Sequence, residues 1–221
     1  MIDLERQNGL FSIIGDKLKE KLECYVVGGS AMMYYNMKGN TKDIDLVFDN
    51  DMDRERVEKV LRRDGFKEKD VRVIYFGKRN TPVMLERGDE RFDLFIKKVV
   101  TFEITDTIKE RISAVNEFGN FIVKVVSPED IILMKCATER AGDRVDAVEI
   151  MKKKNINWDV IIEESVNQTK LESYLFPIFL YDFLEELKED FKADVPKKVL
   201  DEVRKISEKM LVEYMKKKRK K

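Results

Sequence analysis

Two acidic residues lie one residue apart within an apolar stretch of the chain. Asp43 and Asp45 stand in KDIDLVF, and the β-branched and aromatic residues of this stretch predict a strand over 43–48. Alternate side chains of a strand face the same side, about 7 Å apart, so both carboxylates would face one way. Asp93 has the same apolar setting in RFDLFI, a strand predicted over 91–96. If the two strands are neighbours, three carboxylates converge on one site.

A group of carboxylates is a ligand set for hard cations. Oxygen-only ligands favour magnesium or manganese over zinc, so Asp43, Asp45 and Asp93 predict a site for Mg²⁺ (or Mn²⁺). The chain has no histidine and only two cysteines, which excludes an imidazole base and disfavours a zinc site. Chemistry in this chain must therefore use carboxylates together with Lys, Arg, Ser or Tyr.

A pair of glycines precedes the acids. Gly28, Gly29 and Ser30 follow CYVV, a buried strand predicted over 24–27, and lead into a helix predicted over 30–37. Glycine allows a tight turn and the close approach of a ligand, and a helix N-terminus attracts phosphate. A phosphate cradle beside hard cations is what nucleotidyl transfer from a nucleoside triphosphate requires. The P-loop and dinucleotide-binding patterns do not occur in the sequence.

These motifs together resemble the DNA polymerase beta-type nucleotidyltransferase superfamily. The signature of that superfamily is a Gly-Gly or Gly-Ser pair, a spacer, an Asp-x-Asp and a distant third Asp. Here Gly28-Gly29-Ser30 is followed after twelve residues by Asp43-Ile44-Asp45, and later by Asp93. The stretch SPEDIILMKCATERAGDRVDAVEI, residues 127–150, is similar to a helix of small bacterial and archaeal members, including toxin-like ones of toxin–antitoxin and abortive-infection pairs. The resemblance covers about residues 22–152.

The resemblance implies a role for each matching residue. The catalytic and metal-binding group would be Asp43, Asp45 and Asp93. The nucleotide-binding group would be Gly28, Gly29, Ser30, Lys135 and Asp146. In this second group Lys135 would contact the triphosphate, and Asp146 or Asp143 would help to position the triphosphate or Lys135. A surface position for Lys135, and surface positions or salt bridges with Arg140 or Arg144 for the two acids, remain open alternatives.

The resemblance also implies a function. We expect a magnesium-dependent enzyme that moves a nucleoside monophosphate from a nucleoside triphosphate to a hydroxyl acceptor. A tRNA 3′ end, another RNA or a protein is the expected acceptor rather than a small molecule, and the protein could be the toxin of a toxin–antitoxin pair. The alternative is a non-catalytic nucleotide-binding antitoxin or regulatory module that docks a partner protein through its C-terminal helices.

The remaining patterns predict an α/β (α+β) fold with a small mixed sheet and flanking helices over 1–155, followed by a C-terminal helical region over 156–221. Further helices are predicted over 3–22, 53–65, 107–116, from Ser127 onward and from about 144 to 154, and further strands over 71–76, 82–86 and 120–126. In the helical region, apolar residues form two stripes. The first comprises Leu171, Tyr174, Leu175, Ile178, Phe179, Phe183 and Leu187, and the second Val199, Val203, Ile206, Met210 and Tyr214. Pro177 should kink or bound the first of these helices.

Charge and cysteine usage add weaker expectations. Lys+Arg and Asp+Glu are equal at 43 each, so overall charge does not indicate a nucleic-acid binder. The chain ends in KKKRKK, which is either the solvated end of a helix or a segment that contacts RNA. No apolar run of about 18 residues and no signal-peptide pattern occur, so we expect a cytoplasmic protein without a membrane span. Cys24 and Cys136 are predicted to be buried thiols, and the Met32–Tyr35 cluster to be core.

Overall fold

The computed structural model describes residues 1–112, 114–138, 140–171 and 175–218, without the side chains of Val73, Lys217 and Lys218. The chain forms two compact units, Met1–Ser127 and Pro128–Lys221. The predicted Tyr174 of the first apolar stripe and residues 219–221 of the basic end lie outside the described residues.

The first unit is built on a mixed β-sheet. Its helices are α1 (Leu4–Lys17), α2 (Gly28–Tyr34), α3 (Asp51–Arg63), α4 (Arg72–Tyr75) and α5 (Asp106–Glu110). Its strands are β1 (Ile2–Asp3), β2 (Leu22–Val27), β3 (Asn40–Thr41), β4 (Ile44–Phe48), β5 (Lys67–Glu68), β6 (Val83–Arg87), β7 (Glu90–Ile96), β8 (Lys98–Val99), β9 (Phe102–Glu103), β10 (Ala114–Phe118) and β11 (Phe121–Val125).

Seven of the described strands form the main sheet, in the order β10-β11-β2-β4-β7-β6-β5. Strands β11 and β2 run parallel, as do β4 and β7, and the other neighbours are antiparallel. The two remaining strand pairs, β1 with β3 and β8 with β9, are short antiparallel ribbons. The prediction of a small mixed sheet with flanking helices is therefore confirmed.

The central strands are buried on both faces, which explains their continuous apolar sequence. In β2 every residue from Cys24 to Val27 is at most 3% exposed. Helix α1 packs against β10 and β11, where the ring of Phe11 meets those of Phe118 and Phe121 edge to face, with centroids 5.5 and 5.6 Å apart. This core holds β2 and β4, which carry the glycine pair and the Asp-x-Asp motif.

The strand predicted over 71–76 is wrong, because this segment contains the single helical turn α4. Asp70 accepts a hydrogen bond from the amide of Arg72 at 2.9 Å, which starts the turn. Strand β5 pairs with β6 at this edge of the sheet. The turn directs Tyr75 inward, at 8% exposure, and leaves Phe76 83% exposed.

The helix predicted over 107–116 is also partly wrong. Helix α5 ends at Glu110, and Ala114–Phe118 forms the edge strand β10, paired antiparallel with β11. Strands β10 and β11 are connected by a tight turn in which Gly119 has a φ of +58°, a conformation that glycine adopts readily. The helix predicted over 3–22 likewise ends at Lys17, because Leu22 begins β2.

The second unit is helical in its described part, as predicted for the C-terminal region. Its helices are α6 (Pro128–Cys136), α7 (Ala141–Lys153), α8 (Trp158–Leu171), α9 (Phe176–Glu189) and α10 (Lys197–Lys218). Helix α6 packs against α7, α8 and α9, and α10 packs against α9. Pro177 lies in the first turn of α9 and so bounds this helix rather than kinking it. The boundary predicted at residue 155 stays a prediction, and α6 and α7 pack among the C-terminal helices.

Two further expectations can be compared with this structure. Cys24 and Cys136 are both free and buried, as predicted, and burial raises the pKa of both thiols. Across the described ranges, no helix combines the length and the apolar character that crossing a membrane would require.

The packing of α1 on the sheet gives a test of the fold. A Cβ atom on Gly15 would lie 1.6 Å from the carbonyl oxygen of Phe118, whereas one on Gly9 of the same helix would meet no atom within 4 Å. Replacing glycine by alanine within a helix normally stabilises it by about 1 kcal/mol. We therefore expect Gly9→Ala to stabilise the protein and Gly15→Ala to destabilise it by about 1–3 kcal/mol, the usual effect of overpacking.

Urea unfolding of the two variants measures this difference in free energy. Because both substitutions lie on one helix, the Gly9→Ala value supplies the helix-propensity term directly. If Gly15→Ala stabilised the protein as much as Gly9→Ala, the close packing of α1 against β10 would be contradicted.

Candidate active site

Two of the predicted acids lie side by side in the sheet. Strands β4 and β7 are parallel neighbours, and their register pairs Asp45 directly with Asp93. Neighbouring strands are about 4.8 Å apart, so the two side chains leave the same face at adjacent positions. The two strands are neighbours, so the carboxylates of Asp45 and Asp93 converge as predicted.

The third acid is connected to the pair through an arginine. Asp43 lies one residue before β4, and its carboxylate forms an ion pair with the guanidinium of Arg91. The Nε atom of Arg91 is also 3.1 Å from Oδ1 of Asp93, as an ion pair without hydrogen-bond geometry. Arg91 and Asp93 are two residues apart in β7 and so share one face of the strand. The guanidinium thus bridges Asp43 and Asp93.

Asp93 has a second partner on its other oxygen. The hydroxyl of Tyr75 donates a hydrogen bond to Oδ2 of Asp93 at 2.7 Å, and Asp93 is fully buried, at 0% exposure. The ring of Tyr75 also packs edge to face on Phe95. Sequence reasoning missed both Arg91 and Tyr75 as members of this site. The alternation Arg-x-Asp in β7 was the available signal for Arg91, and the wrong strand assignment concealed Tyr75.

The glycine pair lies against the acids. Gly28 has a φ of +61°, and a Cβ atom at this position would be 2.8 Å from Oδ2 of Asp45. A Cβ atom on Gly29 would be 2.8 Å from Oγ1 of Thr41. The left-handed backbone and the lack of space both require glycine at position 28. The turn between β2 and α2 is therefore in contact with the carboxylate of Asp45.

Ser30 ties this turn to the Asp-x-Asp motif. Its side chain is fully buried, and its hydroxyl donates a hydrogen bond to the backbone carbonyl of Asp43 at 3.0 Å. The bond fixes the start of α2 relative to the start of β4. The predicted contact of Ser30 with phosphate stays a prediction, and the hydroxyl would have to give up its hydrogen bond to Asp43 in order to donate one to phosphate.

The segment after Ser30 belongs to the core, as predicted. Met32 and Met33 are at most 2% exposed. Tyr34 donates a hydrogen bond to Asn8 at 2.8 Å, and burial raises its pKa to about 12. Tyr35 donates one to the carbonyl of Val126 at 3.0 Å. Helix α2 is therefore anchored by its side chains, which keeps the glycine turn in place.

The acids fit a hard cation in their chemistry. Their donors are all carboxylate oxygens, Asp45 and Asp93 are adjacent, and a cationic group already lies between Asp43 and Asp93. In the arrangement seen here, no group of three or more His, Cys, Asp and Glu among the described residues is placed to hold a metal ion. The guanidinium of Arg91 occupies the space between two of the three acids. The three acids therefore fit a divalent cation in their donor chemistry but are not arranged around one in this structure.

A second cluster lies in the helical unit. Lys135 in α6 is buried, at 6% exposure, and its ammonium group donates hydrogen bonds of 2.7 Å to Asp143 and of 2.7 Å to Asp146, both in α7. The hydroxyl of Thr138 donates a further hydrogen bond to Asp143. Both acids that were predicted to position Lys135 are thus bound to it. The open alternative of a surface lysine is excluded within this unit.

Arg144 fixes the same helix to its neighbour. Its guanidinium binds the carboxylate of Glu186 in α9, with Nε 3.1 Å from both oxygens and Nη2 3.0 Å from one of them. It also lies 5.2 Å from the ring centre of Phe183 and donates a hydrogen bond to the carbonyl of Thr138. Arg144 therefore orients the start of α7, which carries the partners of Lys135.

Comparison with known proteins identifies the family. A family model described as a nucleotidyltransferase of unknown function (DUF6036) matches residues 10–182, well over half of the 221 residues. The chain belongs to this nucleotidyltransferase family. The nucleotidyltransferase resemblance found in the sequence is thereby confirmed, and the chain is an enzyme of this class. The DUF6036 match extends from α1 into α9, so both the acids and the Lys135 cluster lie within it.

Two solved structures are similar to this DUF6036 chain at low identity. One is the crystal structure of ANT(2″)-Ia in complex with adenylyl-2″-tobramycin, which is 17% identical, covers 81% of this chain and 98% of its own, and has a TM-score of 0.39. The other is the crystal structure of an antigenic nucleotidyltransferase-like protein from Paracoccidioides brasiliensis, with 15% identity, 90% and 98% coverage and a TM-score of 0.45. A search of curated proteins gave no match.

The contact between the glycine turn and Asp45 can be tested by substitution. Gly28→Ala should destabilise the protein by more than the roughly 1–2 kcal/mol that a left-handed backbone imposes on a non-glycine residue, because its Cβ would also meet Asp45 at 2.8 Å. Gly88→Ala is the matched control, since Gly88 has a φ of +58° and no atom within 4 Å of its Cβ position.

The two free energies of unfolding, measured with urea, separate backbone strain from the carboxylate contact. Equal losses in the two variants would show that Asp45 does not lie against the turn.

Proposed function

We propose that this nucleotidyltransferase moves a nucleoside monophosphate from a nucleoside triphosphate to a hydroxyl acceptor, with Mg²⁺ (or Mn²⁺) bound by Asp43, Asp45 and Asp93. The observation that carries the proposal is the direct pairing of Asp45 with Asp93 on parallel strands. The glycine turn that contacts Asp45 supports it further. Acids and turn together would supply the two parts that the reaction requires, a cation site and a place for phosphate.

Each acid has a role in the proposed reaction. Asp43 and Asp45 would hold the divalent ions, and Asp93 would complete the ligand set and accept the proton of the acceptor hydroxyl. When bound, the ions would neutralise charge on the phosphates and favour departure of pyrophosphate. The acceptor oxygen forms a bond to the α-phosphorus, and the bond from that phosphorus to the oxygen bridging to the β-phosphate breaks. The proton passes to Asp93 and the electron pair leaves with pyrophosphate.

Residues of both units would bind the nucleotide in the proposed reaction. The backbone amides of the Gly28–Gly29 turn would bind the β and γ phosphates, and Ser30 holds that turn to Asp43. Lys135 would contact the triphosphate, with Asp146 positioning it. An ammonium group has three donors, and its bonds to Asp143 and Asp146 use two of them, so one remains for phosphate.

The proposed acceptor is an RNA end, such as a tRNA 3′ end, or a protein hydroxyl. The segment that follows Tyr75 supports a nucleic acid as the acceptor. Phe76 is the most exposed of the large apolar side chains in the described part of the chain, at 83%. Lys78 and Arg79 follow it and are also exposed. Exposed aromatic rings and nearby cations are what single-stranded nucleic acids bind, and Tyr75 connects this segment to Asp93.

The biological setting extends the same proposal. The toxin-like resemblance of residues 127–150 supports a toxin of a toxin–antitoxin pair that acts in the cytoplasm, where nucleoside triphosphates are available. The alternative is a nucleotide-binding antitoxin or regulatory module that docks a protein partner. It is favoured by the end of α10, where Leu211, Val212, Tyr214 and Met215 are between 43% and 51% exposed.

Incubation with labelled nucleoside triphosphates, Mg²⁺ and either total RNA or cell lysate tests the proposal. Asp45→Asn should reduce label transfer by more than the roughly 10–100-fold that is typical for losing an outer-shell partner of a metal. Asp49→Asn is the control, because Asp49 directly follows the same strand but pairs with Lys109 at 2.6 Å. Its transfer rate should equal that of the unsubstituted protein.

Two results would count against the enzyme. Absence of transfer to every acceptor, with nucleotide still bound, would favour the regulatory module. Equal rates for Asp45→Asn and Asp49→Asn would remove the acids from the reaction.

A further inference from the structure

Arg91 is a cationic side chain that bridges two of the three acids. It forms ion pairs with Asp43 and Asp93, and its side chain is only 17% exposed. Asp93, at the other end of this bridge, has no exposed surface. A buried carboxylate group without a counter-charge is strongly unfavourable. The guanidinium therefore does in this arrangement what a cation must do at such a site.

A divalent ion and this guanidinium cannot occupy the same space. Asp45 would bind the ion together with Asp43 and Asp93. For this, the latter two would have to turn toward the ion the oxygens that now face Arg91. The arginine would then leave with an unpaired charge in a part-buried position, and that charge needs a new anionic partner. The phosphates of the nucleotide are such a partner, since a guanidinium binds phosphate through paired donors.

We propose that Arg91 is a positioning residue that holds the acids in the metal-free site, excludes a divalent ion that arrives alone, and moves to the phosphates when nucleotide and ion bind together. This inference rests on the proposed function, because it assumes that the acids bind metal. It predicts that metal and nucleotide bind with positive coupling. By linkage, each ligand raises the affinity for the other by the same factor.

The size of the effect follows from the population of the open site. If Arg91 is out of the site in about one tenth of the molecules, the apparent affinity for a lone ion is reduced about tenfold. Removing the arginine should then restore that tenfold. Removing the arginine should also reduce the coupling between ion and nucleotide by a similar factor, because no guanidinium is then available to bind the phosphates.

Mn²⁺ binding, measured by the paramagnetic resonance signal of the free ion, tests this directly. We expect the unsubstituted protein to bind Mn²⁺ weakly alone and much more tightly with a non-hydrolysable triphosphate. Arg91→Gln should bind lone Mn²⁺ about tenfold more tightly and show less gain from nucleotide. Arg91→Lys keeps the charge but lacks the planar fork that bridges two carboxylates, and should fall between the two.

Arg87→Gln is the matched control. Arg87 lies on the adjacent strand β6 and is likewise paired with two acids, Asp64 at 2.5 Å and Glu90 at 2.8 Å, but not with the candidate site. Like Arg91→Gln, the Arg87→Gln substitution removes one positive charge from this sheet. Its Mn²⁺ affinity and its coupling should match those of the unsubstituted protein, which separates a local bridge from a general change in charge.

Thermal unfolding supplies a second readout that does not depend on the binding assay. Without Arg91 the acids repel one another, so Arg91→Gln should melt at a lower temperature in chelator and recover in Mn²⁺. The loss caused by Arg87→Gln should not recover. Because Arg91→Lys retains a counter-charge, it remains measurable if Arg91→Gln does not fold in chelator.

The outcomes distinguish the inference from the function on which it rests. If Arg91→Gln and the unsubstituted protein bind lone Mn²⁺ equally, or the variant binds more weakly, the role of Arg91 is overturned while the proposed function stands. If Mn²⁺ does not bind to either protein even with nucleotide, both are overturned. Tighter binding in Arg87→Gln as well would also overturn the inference, because the effect would then be one of overall charge.

Discussion

Three carboxylates lie close together near the centre of one sheet, and they repel one another. The surrounding structure must offset this repulsion. Asp45 and Asp93 are opposite one another because β4 and β7 run parallel in register. Tyr75 donates a hydrogen bond to one oxygen of Asp93, and Arg91 forms ion pairs with the other oxygen and with Asp43. A protein that needed only stability would place apolar residues at these positions, since buried charge pairs are weak stabilisers. Their presence is therefore best explained by chemistry.

The strand order explains how this site and the glycine turn come together. Strand β2 ends at Val27, directly before Gly28, and lies antiparallel to β4, so Val27 is paired with Asp45. The turn consequently lies beside the acid, and only glycine fits between them. Ser30 adds a hydrogen bond to the backbone of Asp43. The two sequence motifs, although separated by twelve residues, are one structural feature.

The sequence allows part of this site to be predicted. A carboxylate alone in an apolar strand, as in the case of Asp93, is informative because burial of a charge is unfavourable without a reason. For Arg91 the Arg-x-Asp alternation was the one signal, and it is ambiguous because an arginine near the start of a strand also suits a solvated edge. Tyr75 could not be found because its segment is rich in the β-branched and aromatic residues of a strand, whereas the amide of Arg72 donates a hydrogen bond to Asp70 and a helical turn begins there. The burial of Lys135 does not follow from its own helix, because its partners lie on α7; the resemblance alone indicated Asp143 and Asp146 as those partners.

The central claim is that Asp43, Asp45 and Asp93 form a cation site that receives the phosphates of a nucleotide. A crystal structure with Mn²⁺ and a triphosphate whose α–β bridge cannot be cleaved tests it most directly, through the anomalous signal of manganese. The account predicts a manganese peak in direct contact with oxygens of Asp45 and Asp93, phosphates at the Gly28–Gly29 turn and Arg91 turned away from Asp43. Manganese and nucleotide bound at another place, with the Arg91 bridge intact, would contradict it.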